Sequence, residues 1–335
     1  MPTPAAHGFD FLTGAEADYV QPIMAELADT AWAKPLLAEI DAAGGLKTEN
    51  KAKLFELRFG HAVHSVGVAP QYEVPGEGLS TLDFGFASGG TDFLVEMTRL
   101  EETAAVKAAT TTKSFDDGAT MMARHLHSDA DDPRQTPEGE TLMAVQRICQ
   151  KLEKDGKPHK FPALSGKTHV LLVDFRTFKN GGDVWDRLHV GLGGDSVPNV
   201  FKNYYEKRLV SGVFDAKTTL KGAAEARERL HFIGFVNEKS YEDGSFGPAI
   251  QFVANPDLFK SPEEAHAALA GWPLGAPDII NARPKKPAAN LLQLVEALSS
   301  LTVSEAAELS NLLKAKWDVP VKSLVGSATP TASAS

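Results

Sequence analysis

One stretch constrains the fold of this chain more than any other: Thr81-Leu-Asp-Phe-Gly-Phe-Ala-Ser-Gly-Gly-Thr-Asp-Phe-Leu-Val-Glu-Met-Thr98. If Gly89-Gly90 forms the two-residue loop that tight hairpins favour, Leu82 faces Met97, Phe84 faces Val95 and Phe86 faces Phe93. All six are apolar and share one side of a sheet. The same register sets Asp83 opposite Glu96 on the other side. A different loop length would slip the pairing and scatter the apolar set, so the apolar register and the acidic pairing stand or fall together. Carboxylates directly opposite each other repel, and something must offset that cost. A divalent cation taking oxygen ligands would do so, and Mg²⁺ held by one or two carboxylates plus substrate phosphate is the usual phosphoryl-transfer arrangement. The alternative is a solvent-exposed face on which the two carboxylates splay apart.

The flanking sequence supplies the rest of an α/β domain. Residues 1–46 read as helical, with Ile23, Leu27, Trp32, Leu36, Leu37 and Ile40 at roughly helical spacing before Ala43-Gly44-Gly45 ends the segment. A second helix is expected from about Thr48 to Val66. In it Phe55, Phe59, Ala62, Val63 and Val66 form a core-facing stripe, and Gly67 stands at the C-cap. Glu56 lies beside that stripe as a third carboxylate at the core's margin. Strands are expected at Val68–Val74, Ser80–Ala87 and Thr91–Leu100, a helix at Gly139–Lys154, and a strand buried on both faces at His169–Phe175. Ser114 to Glu140 reads as an acidic, solvated loop. Phe232–Val236 and Ala249–Val253 flank a turn at Glu242–Ser245 and read as one more hairpin. The stretch from Asp183 to Leu230 is mixed and mostly helical.

With 335 residues, 43% hydrophobic and 23% charged, the chain holds enough material for one large domain or two modest ones. No apolar run approaches the roughly 20 residues needed to cross a bilayer, and Met1 to Phe11 lacks the pattern of a secretory signal. The single cysteine, Cys149, makes no internal disulfide, so a cytoplasmic home is the simplest expectation. A net charge of −10 argues against coating nucleic acid by bulk attraction, though Arg147, Lys151, Lys154, Lys157 and Lys160 make the stretch Val145–Lys160 locally basic.

The order helix with Glu, strand, strand with Asp, strand with Glu, helix, strand resembles the PD-(D/E)XK nuclease superfamily, the restriction-endonuclease-like fold, over roughly Lys51 to Phe175. The residues that carry the resemblance are Glu56 in Leu54-Phe55-Glu56-Leu57-Arg58-Phe59, Asp83 in Thr81-Leu82-Asp83-Phe84, and Glu96 in Phe93-Leu94-Val95-Glu96-Met97-Thr98. The resemblance implies an αβββαβ core with a mixed sheet, a Mg²⁺ or Mn²⁺ ion held by Asp83 and Glu96 with help from Glu56, and nucleic acid as substrate. It also implies a lysine two residues after the second acid. That position is Thr98 here. Members of the superfamily can supply the base from the following helix, which makes Lys151 or Lys154 the candidate replacement.

Arg283-Pro284-Lys285-Lys286-Pro287 reads as a linker spanning 283–289, so that 47–282 forms the main domain. Beyond it, Leu291, Leu294, Val295 and Leu298 stripe one helix, while Leu309, Leu312, Leu313 and Trp317 stripe a second. Thr302 and Glu305 form a capping box between them, and 320–335 reads as a disordered tail. Leu301-Thr302-Val303-Ser304-Glu305-Ala306-Ala307-Glu308-Leu309 and Lys316-Trp317-Asp318-Val319 resemble the dimerisation domain of the bacterial ribosomal stalk protein. That resemblance implies a homodimer through 291–317 and, more remotely, a ribosomal partner. The expectation from the whole chain is a cytoplasmic, metal-dependent nuclease. The competing expectation is a catalytically inactive version of the fold that serves as a binding module, which Thr98 and the net charge favour.

Overall fold

The structure is a computed structural model, and it describes residues 14–114, 120–127, 130–194 and 210–283, together with Glu305. The chain divides into two compact units, Met1–Arg283 and Pro284–Ser335. The expected C-terminal hairpin (290–319) and tail (320–335) lie outside the described residues, Glu305 apart.

The first unit is a mixed α/β structure. Helices α1 (Gly14–Glu26), α2 (Lys34–Ala42) and α3 (Lys51–Ser65) come first, followed by strands β1 (Gln71–Pro75), β2 (Thr81–Ser88) and β3 (Thr91–Arg99). Next come the short helix α4 (Ala104–Ala108), a separate hairpin β4 (Thr110–Ser114) and β5 (Thr120–Arg124), and helix α5 (Pro137–Gln150). A two-rung hairpin β6 (Glu153–Lys154) and β7 (Lys157–Pro158) leads to β8 (Thr168–Asp174) and α6 (Val184–Leu192). Helix α7 (Ala223–Arg229), strands β9 (Phe232–Val236) and β10 (Ile250–Ala254), helix α8 (Pro262–Ala268) and the short β11 (Asp278–Ile279) complete it.

Seven strands make one sheet in the order β1-β2-β3-β8-β9-β10-β11. The β1-β2-β3 meander is antiparallel, β8 runs parallel to both β3 and β9, and β10 turns back antiparallel to β9. All seven residues of β8 are buried, as a strand covered on both faces requires. One face packs on α1, α2 and α3, with Phe55, Phe59, Phe84, Phe86, Phe93 and Trp272 at its centre. The other packs on α5, α6 and α7 through Ile148, Leu171, Val173, Phe235 and Leu230. The stripe of α3 faces inward at Phe55, Phe59 and Val63, while Val66, one turn on, is 54% exposed.

The β2–β3 register is the one read from the sequence: Phe84 pairs with Val95, Phe86 with Phe93 and Ser88 with Thr91. The tip of this hairpin is seated on distant backbone. A Cβ on Gly89 would lie 2.7 Å from the Cα of Gly271, and one on Gly271 would lie 2.2 Å from the carbonyl oxygen of Ser88. At the other end the expectation fails for Leu82, which packs with Val74 on the α5 face rather than beside Phe84. The reversal is matched in β1, where Glu73 has φ 55° and lies between Tyr72 and Val74, the partners of Phe84 and Leu82, which likewise pack on opposite faces.

Candidate active site at the open end of the β2–β3 ladder

The ladder between β2 and β3 runs from Ser88–Thr91 to Phe84–Val95 and stops there, so the expected cross-strand pair of Asp83 and Glu96 is not part of it. Beyond it the Met97 N–H donates to Asp83 Oδ2 at 2.6 Å, so a side chain takes a bond that main chain would otherwise satisfy. Glu96, next along β3, is fully buried on the face that carries its parallel neighbour Leu171. Its Oε1 lies 3.0 Å from Lys151 Nζ and 3.0 Å from Lys160 Nζ. Its Oε2 is buried with no hydrogen-bond partner.

The two lysines reach Glu96 from one structure. Lys151 is the C-cap of α5, and Lys160 follows the β6–β7 hairpin. Lys160 sits at φ 64°, its N–H donates to Ser80 Oγ at 3.2 Å, and its carbonyl accepts from the Glu77 N–H at 2.8 Å. Its amine also donates to the Thr81 carbonyl at 2.8 Å. Gly76 makes this seam possible, because a Cβ there would stand 2.4 Å from the Lys160 carbonyl oxygen.

Glu56 approaches from α3. Its Oε2 accepts from Tyr72 Oη at 3.0 Å and from Lys53 Nζ at 3.2 Å. Burial and then the charge of Asp83 push its carboxyl up to about 7. Burial and then Glu96 push Asp83 up to about 7 as well. The three acids therefore form one electrostatic group in which each carboxylate resists ionisation of the next. Among the described residues, no three His, Cys, Asp or Glu side chains are arranged to hold a metal ion by themselves.

Glu56, Asp83, Glu96 and Lys151 are thus brought together, and Lys154 is not. The expected helix to residue 154 ends at Gln150, and Lys154 instead pairs with Lys157 in the hairpin, exposed. Thr98 lies half-buried two residues past Glu96, paired with Val173. Lys160 was missed as a site residue, although Asp155-Gly156 is a strong signal for a two-residue turn. Continuing that hairpin register backwards places Leu152 opposite His159, whose N–H donates to the Leu152 carbonyl at 2.8 Å, and then Lys151 opposite Lys160. Cys149 plays no part, since it is buried and burial pushes its thiol up to about 12.

A second charged cluster lies on the α3 face. Arg58, 1% exposed, donates to Glu16 at 2.6 Å and to Glu238 at 3.0 and 2.9 Å, while Arg176 binds Asp174 at 2.6 Å and Tyr241 Oη at 2.6 Å. These bonds tie α1 to the loops after β8 and β9. Every acid among them has a cationic partner, which marks the cluster as structural.

Residues 291–335 match the family model of the Ribosomal protein L7/L12 dimerisation domain. No curated protein and no solved structure matches the chain. The match covers the C-terminal unit only and leaves the α/β unit to be read from its own geometry.

Proposed function

We propose that the chain is a divalent-metal-dependent nuclease that cleaves phosphodiester bonds of nucleic acid from a homodimer. The observation that carries this reading is the convergence of Asp83, Glu96, Lys151 and Lys160 at the point where the β2–β3 ladder stops. An αβββαβ strand and helix order, with two acids on adjacent strands and amines from the following helix and hairpin, also supports it.

The donor set suits Mg²⁺ or Mn²⁺. The Glu96 Oε2 is buried without a partner, and burial, with the neighbouring carboxylates Glu96 and Asp83 respectively adding to it, pushes Asp83 and Glu56 up to about 7. Asp83 and Glu96 would hold the ion, with Glu56 behind them, and phosphate and water oxygens would fill the remaining positions. Bound there, the metal would polarise the phosphate and activate water as a nucleophile. The protein's own contribution would be the two amines of Lys151 and Lys160, which would neutralise charge beside the reacting phosphate. Self-association rests on residues 291–317, and the match to a dimerisation domain supports it.

One observation favours a second reading, a nuclease-like binding module without catalysis. Lys151 and Lys160 already neutralise Glu96, and Thr98 stands where the superfamily's lysine is expected. Titration calorimetry with MgCl₂ and MnCl₂, followed by incubation with single- and double-stranded DNA and RNA, separates the two. The nuclease reading expects saturable metal binding and metal-dependent cleavage, both lost in Glu96→Gln. Wild-type protein that neither binds metal nor cleaves would leave the binding module standing.

A further inference from the structure

The β6–β7 hairpin is too short to add to the core, yet it is firmly held. Leu152 enters it and Phe161 leaves it, both fully buried. Asp155 at φ 55° and Gly156 at φ 75° form the primed turn that suits a two-residue hairpin, and the Gly156 N–H donates to Glu153 Oε1 at 2.6 Å. Glu153 is therefore folded back into the turn. The finger that results presents Lys154 directly opposite Lys157.

Like charges directly opposite on a two-stranded ribbon destabilise it. Neither amine forms an ion pair among the described residues, and both side chains are exposed. The base of the same finger carries Lys151 and Lys160, the two amines that reach Glu96. His159, which adjoins Lys160 in the chain, registers the combined field: partial burial, then Lys160, Lys154 and Lys151, hold it below its ordinary value. Four lysines are thus gathered along one rigid hairpin in a chain whose net charge is −10. Such a concentration of positive charge on an acidic protein draws a polyanion to one place and not to the surface at large.

We propose that the β6–β7 hairpin is a phosphate-gripping finger, in which Lys154 and Lys157 hold the nucleic-acid backbone next to the phosphate that lies over Asp83 and Glu96. The proposal rests on the nuclease reading above and adds where its substrate is held. The cross-strand lysine pair is a cost to the free protein that two successive backbone phosphates offset. Each amine contacts phosphate oxygens and no base edge, so the grip is independent of sequence and sensitive to salt.

The test compares wild-type protein with the Lys154→Ala/Lys157→Ala double variant by fluorescence anisotropy of labelled single-stranded and duplex oligonucleotides across a salt series in EDTA. Cleavage with Mg²⁺ is measured in parallel. Affinity of the variant is expected to fall about tenfold or more, and the slope of log K against log salt on duplex is expected to shrink by about 1.8. Its metal binding by calorimetry should be unchanged. Its thermal midpoint should be equal or higher, because like-charge repulsion has been removed. Wild-type protein that binds and cleaves nucleic acid, with a double variant of the same affinity and salt slope, would overturn the finger and leave the nuclease reading intact. Wild-type protein that neither binds nor cleaves would overturn both.

Discussion

Lys151, at the C-cap of α5, and Lys160, just after the β6–β7 hairpin, bring their amines to the same oxygen, each 3.0 Å from Glu96 Oε1. A buried carboxylate held twice should tolerate loss of either partner far better than loss of both. Lys160→Met is expected to cost about 2 kcal/mol. Lys151→Met should cost about 1 kcal/mol, because its side chain is 35% exposed and water screens the pair. The double variant should exceed the sum, since Glu96 is then buried without a counter-ion, and adding Glu96→Gln should recover part of the loss. Urea unfolding of the four proteins checks this; additive losses with no rescue would show that the amines do not share the acid.

The raised carboxyls fix the sign of a pH effect. Asp83 and Glu56 titrate near 7 in the folded chain and near 4 when unfolded, so the native state keeps protons that the unfolded state has released. Their contribution to stability is whole below about pH 4 and is lost as pH rises through 7. His169 and His231, which burial pulls down to about 4, act in the opposite direction over part of that interval. The comparison of wild type with Asp83→Asn removes the histidine effect. Asp83→Asn should lessen the fall in stability between pH 4 and 7 by on the order of 2 kcal/mol, measured by urea midpoints at each pH. At pH 8, added Mg²⁺ should raise the wild-type midpoint and leave that of the variant unmoved.

Arg58 is the keystone of the buried charges on the other side of the sheet. Replacing it with methionine leaves the buried Glu238 without its guanidinium and takes from the buried Glu16 the shortest of its cationic contacts, Arg176 and Lys51 remaining. The expected loss is about 3–5 kcal/mol. Amide exchange should show α1 loosening before the sheet does. Arg58→Lys is expected to restore little, because one ammonium cannot hold two carboxylates in the forked geometry.

Assembly is testable apart from the site. If the proposed homodimer forms through the stripes of 291–317, Leu309→Asp with Leu313→Asp should yield monomers with an intact α/β unit. Light scattering on full-length protein and on a chain ending at Ala282 provides the check. A full-length monomer at micromolar concentration would redirect the hairpin toward a different partner.

The hairpin that brings Asp83 near Glu96 was legible because two physical rules agreed on one register, apolar residues at every second position and a two-residue glycine loop, although the ladder stops one pair short of the acids. The strand β8 and the helix α3 were legible for the same kind of reason, a strong period. Lys160 was not, although the Asp155-Gly156 turn carried the same arithmetic, because the expected helix was run on to Lys154 through a stretch of good helix formers. Propensity lost there to a turn of positive φ. The reversal of Leu82 could not be read either, since the left-handed Glu73 that accompanies it on the neighbouring strand carries no sequence signal of its own. Strand β5 fell inside Ser114–Glu140, a stretch read as an acidic loop, and its partner β4 just before it is threonine-rich and offers no apolar alternation to find.

The contact between Gly89 and Gly271 has a consequence for how the acids come into place during synthesis. A hairpin such as β2–β3 closes on a microsecond scale once its residues are free. Its tip, however, is seated on backbone that the ribosome delivers near the end of the α/β unit. Closing that long loop is the slow kind of event, ordered last in a chain of high sequence separation. Asp83 and Glu96 are therefore expected to come near each other before the turn that spaces them has the Gly271 backbone to rest on.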